Sequence, residues 1–390
     1  MSADAATLSG VKVLIIGGGI IGASIAWRLA GEGAEVLVLE RGRLGREASW
    51  AAAGLIGPQA EAQEPGIFFD LCMRAKQSFD ACIDQLTDES GIDPEYDDNG
   101  VLYAAFDEPS VAALKRRAHW QRAAGATVEE LTPHEVAKLA PALSPEVIYG
   151  LHLPTNRRLE NRKLTQAYIN AAILKGAEFR ERARVAEIAT SGGRASGLKL
   201  DGGESLTGDL IINCAGAWAS QLRGLEHDRI SFFPVRGQML CFELRPGEIE
   251  PTLFALGGIL VPRRDGRVLA GSVFEEAGFN RSVTLGAMER IVSAARTMVP
   301  RLESMPFREA WTGFRPATDD LLPVLGPSPS VSGVFYAAGH FRSGILLSAL
   351  TGEVIADLAM GRKPSLDLTP FAPSRFLSGN VERAKLPGRA

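Results

Sequence analysis

Val11-Lys12-Val13-Leu14-Ile15-Ile16-Gly17-Gly18-Gly19-Ile20-Ile21-Gly22-Ala23-Ser24-Ile25-Ala26-Trp27-Arg28-Leu29-Ala30 is the stretch on which the fold turns. It opens with a β-branched run, places glycine at 17, 19 and 22, and continues from Ala23 to Ala30 with apolar residues at helical spacing. That order predicts a strand, a tight turn and a helix, with Gly31-Glu32-Gly33 as the stop. Glu35 to Leu39 reads as a second strand, almost wholly apolar, as a parallel sheet covered on both faces requires. Gly17, Gly19 and Gly22 let the backbone turn sharply and approach a pyrophosphate, while the helix start behind them offers free N–H groups and positive potential. Glu40 ends the second strand, where a carboxylate can accept hydrogen bonds from a ribose diol and disfavours a 2′-phosphate. FAD and NAD both use such a unit, and it does not choose between them.

Outside this unit, 390 residues of which 46% are hydrophobic exceed what one core usually holds, so two domains are expected. A formal charge of -4, with no long basic block, lacks the footprint of a nucleic-acid binder and points to a small-molecule substrate. Cys72, Cys82, Cys214 and Cys241 are far apart in apolar surroundings, which reads as buried thiols in a reducing, cytoplasmic setting. The apolar run from Val13 to Ala30 is broken by glycines and has no basic flank before it, so no membrane span is expected. The five histidines are scattered and offer neither a metal site nor a serine–histidine–aspartate set. Residues 1–9 and 379–390 read as flexible tails.

Along the chain, helical patterns run from Ile67 to Leu86, Pro109 to Ala123 and Arg162 to Lys175, and strands from Val101 to Ala105, Glu178 to Ile188 and Gly197 to Leu200. Asp209 to Asn213 is a strand entering the small-residue turn Cys214-Ala215-Gly216. Strand-rich sequence occupies Ile230 to Gly271, with Pro262 to Gly266 as a hairpin turn in which Arg263 and Arg264 are expected to be solvated. Gly333 to Ala338 and Ser343 to Met360 form a late strand and helix around Gly339. The return of a strand–helix unit at the far end predicts a dinucleotide domain assembled from separated segments.

After Glu40 comes a small-residue stretch, Glu47-Ala48-Ser49-Trp50-Ala51-Ala52-Ala53-Gly54-Leu55, equally suited to lie against a flat ring system or to lead into a helix. Taken in order, Gly17 to Gly22, Ser49 to Leu55, Asn213-Cys214-Ala215-Gly216-Ala217-Trp218, Pro234-Val235-Arg236-Gly237-Gln238 and Gly339-His340-Phe341-Arg342-Ser343-Gly344-Ile345-Leu346-Leu347 make the chain resemble the D-amino-acid oxidase family of FAD-dependent oxidoreductases. The resemblance runs from about Val11 to Leu358 and favours the glycine-oxidase branch, which is associated with thiamine biosynthesis. It implies an α/β FAD-binding domain with a parallel, Rossmann-like sheet, and a second, α+β substrate domain whose mainly antiparallel sheet roofs the flavin. The expected segments are 10–90, 155–222 and 312–365 for the first and 91–154 and 223–311 for the second.

Carried over by position, the resemblance gives FAD contacts to Gly17, Gly19, Ile20, Ile21, Gly22, Glu40, Arg41, Ala48, Ser49, Ala53, Gly54, Leu55, Val185 and Gly216. His340, Phe341, Arg342, Ser343, Gly344, Ile345 and Leu346 would wrap the pyrimidine end of the flavin. The turn before the Ser343 helix also suits an anion on physical grounds, although, with the motif taken alone, helix capping by Ser343 explains it better. His340 reads as a packing residue rather than a base. Some relatives tether flavin through a cysteine near these motifs; none of the four falls there, so FAD is expected to be non-covalent.

A small amino acid brings a carboxylate, which a buried arginine binds bidentately. In Trp311-Thr312-Gly313-Phe314-Arg315-Pro316 the resemblance assigns that role to Arg315, at the end of a predicted strand, with Arg342 as a second cation. Glycine oxidases usually carry a tyrosine where this chain has Ile259, two residues before Val261-Pro262-Arg263. Loss of that donor costs about 1.5–3 kcal/mol towards a charged acceptor and leaves an apolar wall, to which Phe254 and Phe274 would add. The expectation is an oxidase of glycine, sarcosine or a small D-amino acid that uses O2 and releases hydrogen peroxide. A dehydrogenase with a non-oxygen acceptor, an NAD-dependent dehydrogenase and a flavin-binding module without turnover are the rivals, and homo-oligomer formation is left open.

Overall fold

The computed structural model describes residues 8–386. Lys12–Ile16 lies inside a six-stranded sheet in the order Val324–Pro327, Val334–Ala338, Leu210–Asn213, Lys12–Ile16, Glu35–Leu39, Glu178–Arg180. All its pairings are parallel except the edge hairpin Val324–Pro327 with Val334–Ala338. Successive side chains of a strand point to opposite faces, and Lys12–Ile16 uses both. Val13 and Ile15 pack into a core with helices Ile20–Gly31, Ile67–Ser90, Asn161–Leu174 and Gly344–Ala359. Leu14 and Ile16 face a three-stranded sheet, Val185–Ser191, Arg194–Leu200 and Ser205–Thr207. Hence the near-continuous apolar sequence: neither face meets water.

A second sheet has eight strands in the order Phe307–Ala317, Phe233–Glu243, Arg267–Gly271, Gly258–Pro262, Thr252–Ala255, Val101–Ala105, Tyr149–Leu153, Glu129–Leu131. It is antiparallel apart from the pairing of Thr252–Ala255 with Val101–Ala105. Helix Leu285–Met298 closes its outer face through Ala287, Ile291, Ala295 and Met298.

Three expectations need correction. The single strand Glu178 to Ile188 is two strands in different sheets, parted at Arg182, whose φ of 55° leaves the extended region. The boundary at 311/312 cuts strand Phe307–Ala317, which belongs whole to the eight-stranded sheet. Of the tails, residues 1–7 and 387–390 lie outside the described residues, but residues 383–386 are docked. Ala384 N–H donates to Asp319 O at 2.7 Å, Arg383 pairs with Glu276 at 3.1 Å, and Leu386 is buried against Val235, Ala317 and Phe341. The polar composition of the segment hid one apolar residue with a matching socket. No helix among the described residues is long and apolar enough to cross a membrane.

Candidate active site

One cavity of about 620 Å³ begins at the turn after Lys12–Ile16 and ends under the eight-stranded sheet. At its start Gly17 has φ 108°, and a Cβ there would collide with the Cys214 carbonyl, so only glycine fits. Glu40 is buried and accepts from the N–H groups of Gly18 at 2.9 Å and Gly42 at 2.7 Å. Burial raises its pKa, and the two backbone donors partly offset this. Its carboxylate is thereby braced at the cavity wall beside Gly17, Gly19, Ile20 and Ile21. Ser49 reaches across to accept the Ile20 N–H at 2.9 Å, supplying the helix-start partner that Gly19 cannot. Arg41 lies 3.5 Å from the centre of the Trp218 ring and pairs with Glu47 at 2.7 Å; Arg281, from the segment between strand Arg267–Gly271 and helix Leu285–Met298, grips the same Glu47 at 2.7 Å. Val185 and Gly216 complete this end.

In the middle, Ala48–Ala51 makes one helical turn, and Ala48, Ala53, Gly54 and Leu55 line the cavity. The stretch is held from behind. Asn161 donates to Ser49 O at 2.7 Å, and Arg263 donates to Ala53 O at 2.9 Å, to Leu159 O at 2.8 Å and to Asn161 Oδ1 at 3.1 Å. This corrects the expectation of a solvated Arg263, which is buried with Glu160 3.5 Å away. The hairpin turns one arginine inward to a set of carbonyls and the next outward: Arg264 is exposed and pairs with Asp93 and Asp97. Burial, only partly offset by Glu160, pushes the Arg263 guanidinium down to about 10.

The late turn brings Gly339 and Phe341 into left-handed backbone, φ 76° and 48°, and Phe341 N–H donates to Pro316 O at 2.8 Å. His340, Phe341, Arg342, Gly344 and Ile345 line the cavity. Gly22, Ser343 and Leu346 do not: Gly22 packs on the Gly17 carbonyl, Ser343 turns its hydroxyl to Glu61 at 3.4 Å, and Leu346 is sealed in the helical core. His340 is buried against Thr351 Oγ1 at 3.1 Å, and burial pushes its pKa down to about 3. It is a neutral imidazole at ordinary pH.

At the far end Arg315 lines the cavity with its guanidinium 4.4 Å from the centre of the Phe274 ring, donating to Val273 O at 3.0 Å and to Ser272 Oγ. The side chain crosses directly over Gly237, where any Cβ would strike the guanidinium. Burial, with Arg342 adding repulsion, pushes Arg315 down to about 10. Arg342 pairs with Glu61 at 3.0 Å. Ile259, Phe254, Phe274 and Tyr103 form the apolar wall. Glu61, Tyr103, Arg117 and Gly237 also line this end and were missed as site residues; the Pro234 to Gln238 motif was the one available signal, for Gly237. In the same motif Arg236 faces away and clamps Glu275 at 2.9 Å.

The donors and acceptors suit a dinucleotide with a flat ring: a glycine turn cleared of side chains, a braced carboxylate, a small-residue wall and a helix start at Gly344. Among the described residues no His, Cys, Asp or Glu cluster could hold a metal. The family model described as "FAD dependent oxidoreductase" (DAO) matches residues 12–358. The glycine oxidase of Geobacillus kaustophilus (strain HTA426) is 33% identical over 94% of this chain and 97% of its own. The crystal structure of glycine oxidase from Geobacillus kaustophilus superposes with a TM-score of 0.89 at 31% identity, covering 94% of this chain and 99% of that one. The structure of iminodiacetate oxidase from Chelativorans sp. BNC1 does so with 0.81 at 29% identity, covering 93% and 98%.

Proposed function

The chain belongs to the DAO family of FAD-dependent oxidoreductases, and from that premise we propose that it oxidises the C–N bond of glycine, sarcosine or a small D-amino acid with dioxygen. One observation carries the substrate class: Arg315 is a partly buried cation on the cavity wall whose hydrogen-bond partners are a carbonyl and a hydroxyl, not a carboxylate. A guanidinium drawn largely out of water without a counter-charge is costly. A substrate carboxylate supplies that charge bidentately and fixes the α-carbon in one direction.

Bound FAD would supply the two-electron oxidation of the carbon–nitrogen bond, with dioxygen as the final acceptor yielding hydrogen peroxide. The resulting imine hydrolyses to glyoxylate or an α-keto acid with ammonia or an amine. The protein supplies position and surroundings. Glu40 would take the ribose, Gly17 and Gly19 with Ile20 and Ile21 the pyrophosphate, and Ala48, Ser49, Ala53, Gly54 and Leu55 the ring system; all of them line the cavity. Phe254, Ile259 and Phe274 keep water from the reacting carbon. The start of helix Gly344–Ala359 presents positive potential to charge developing at that end of the cavity. No cysteine occurs in residues 339–347, which supports a cofactor held without a covalent bond. The four free, buried thiols favour a cytoplasmic setting.

The test is a panel of glycine, sarcosine and D- and L-amino acids, scored for anaerobic flavin bleaching and then for peroxide under air. Bleaching by the small members with peroxide yield supports the oxidase. Bleaching that turns over only with an artificial acceptor makes the protein a dehydrogenase, and no bleaching by any member rejects the substrate class. Ile259→Tyr restores a donor to the wall and is expected to move preference towards glycine by about tenfold; an unchanged ranking would discard that role for Ile259.

A further inference from the structure

We propose that the substrate cavity holds a second anion-binding subsite at Arg117, so that the preferred substrate is an amine with two carboxylates, one at the reacting carbon and one several bonds away. The proposal rests on the role of Arg315 given above and extends it. Four charged side chains line the substrate end: Arg315, Arg342, Glu61 and Arg117. Arg342 and Glu61 neutralise each other at 3.0 Å. Two guanidiniums remain. One substrate carboxylate satisfies Arg315 and leaves Arg117 unmatched.

Arg117 projects from helix Glu108–Ala123 over the Tyr103 ring, 4.7 Å from its centre. Its Nη2 donates to Gln63 Oε1 at 2.7 Å, whereas Nη1 is shut off from solvent with no hydrogen-bond partner among the described residues. A buried, unpaired N–H on a cation is unfavourable, and a carboxylate oxygen is its best complement. The wall between the two cations is apolar and ordered by strand register: Ile259 stands opposite Phe254, Phe254 stands beside Tyr103, and the last two rings stack at 4.7 Å. Neighbouring strands are about 4.8 Å apart, so this wall spans about 10 Å. An alkyl chain lies along it with its terminal carboxylate at Arg117. Charge is then balanced at both ends, and the reacting carbon stays beside Arg315.

The test compares N-alkylglycines with N-(ω-carboxyalkyl)glycines of one to six methylenes, read as KM and kcat and as the substrate-induced change in the flavin spectrum. The carboxylate series is expected to show its lowest KM at a chain of several methylenes, below the alkyl compound of equal length. Arg117→Met is expected to cut the carboxylate-over-alkyl preference by about tenfold or more. Arg117→Glu is expected to turn preference towards N-(ω-aminoalkyl)glycines, a reversal that a misfolded variant would not give; flavin content and unfolding midpoint are recorded for both. Equal KM in the two series, or an equal fall in both on Arg117→Met, overturns the subsite and leaves the oxidase intact. Failure of every compound to bleach the flavin takes down both.

Discussion

His340 sits in the late turn where an acid–base group could be expected, and its surroundings withhold that role. Burial pushes its pKa down to about 3, so the folded protein keeps it neutral while the unfolded chain protonates it near pH 6.5. The sign follows. Between about pH 6.5 and pH 3 the unfolded state binds a proton that the folded state refuses, and His340 lowers stability as the pH falls, by up to about 1.4 kcal/mol per pH unit. His340→Gln, which can still meet Thr351, is expected to flatten this acid limb. Urea unfolding at a neutral and an acidic pH measures it, and identical pH slopes in the two proteins would rule the linkage out. Single residues were legible where a motif carried them: Arg315, Glu40 and Ile259 all stand on the cavity wall. Arg263 was misread because its partners, Ala53 and Leu159, lie 210 and 104 residues away, and nothing local distinguishes an inward arginine of a hairpin from an outward one.

The pair of strands Phe233–Glu243 and Phe307–Ala317 places two glycines opposite each other, Gly237 and Gly313. Each makes room on the cavity side of the sheet. Gly237 lies under the Arg315 side chain, and Gly313 admits the Ala51 methyl from the small-residue stretch. Gly237→Ala adds one carbon where the guanidinium runs, and a shift of about 1 Å at a group that orients substrate costs about 10²-fold. The expected result is kcat/KM lowered by about that factor with flavin content unchanged, read by steady-state kinetics and the visible spectrum; undiminished turnover would show that Arg315 has another route. The apolar runs exposed the inner strands of the six-stranded sheet, Lys12–Ile16, Glu35–Leu39, Leu210–Asn213 and Val334–Ala338, because these are largely buried on both faces, whereas the edge strand Glu178–Arg180 is mostly exposed. The register of these two strands was not legible, since it depends on which side chains meet across separate stretches of chain.

At the scale of the molecule, the described end of the chain ties back onto the site. Leu386 fills a socket made by Val235, Ala317 and Phe341, and Phe341 belongs to the turn that lines the cavity. Removing residues 380–390 uncovers that socket and forfeits about 1.5–3 kcal/mol of apolar burial. A lower thermal midpoint and weaker flavin retention are expected, and a truncated protein that melts unchanged would show the contact to be idle. The overall class, a dinucleotide sheet with a second sheet above it, was readable because the opening unit and the late strand–helix return are local patterns. The docked segment was not, because a single leucine among charged and small residues has no period.

The bonds from Arg263 to Ala53, Leu159 and Asn161 join a hairpin, a helix start and a loop that the chain makes at widely separated times. Contacts of such sequence separation close late, after local structure has formed, because the entropy of a long loop must be overcome first. During synthesis the cavity wall at Ala53 is therefore expected to lack its Arg263 brace until the hairpin has left the ribosome, while Asn161 already holds the Ser49 end. Firm cofactor capture is accordingly expected only once the topology is complete, when all three parts of the brace are present.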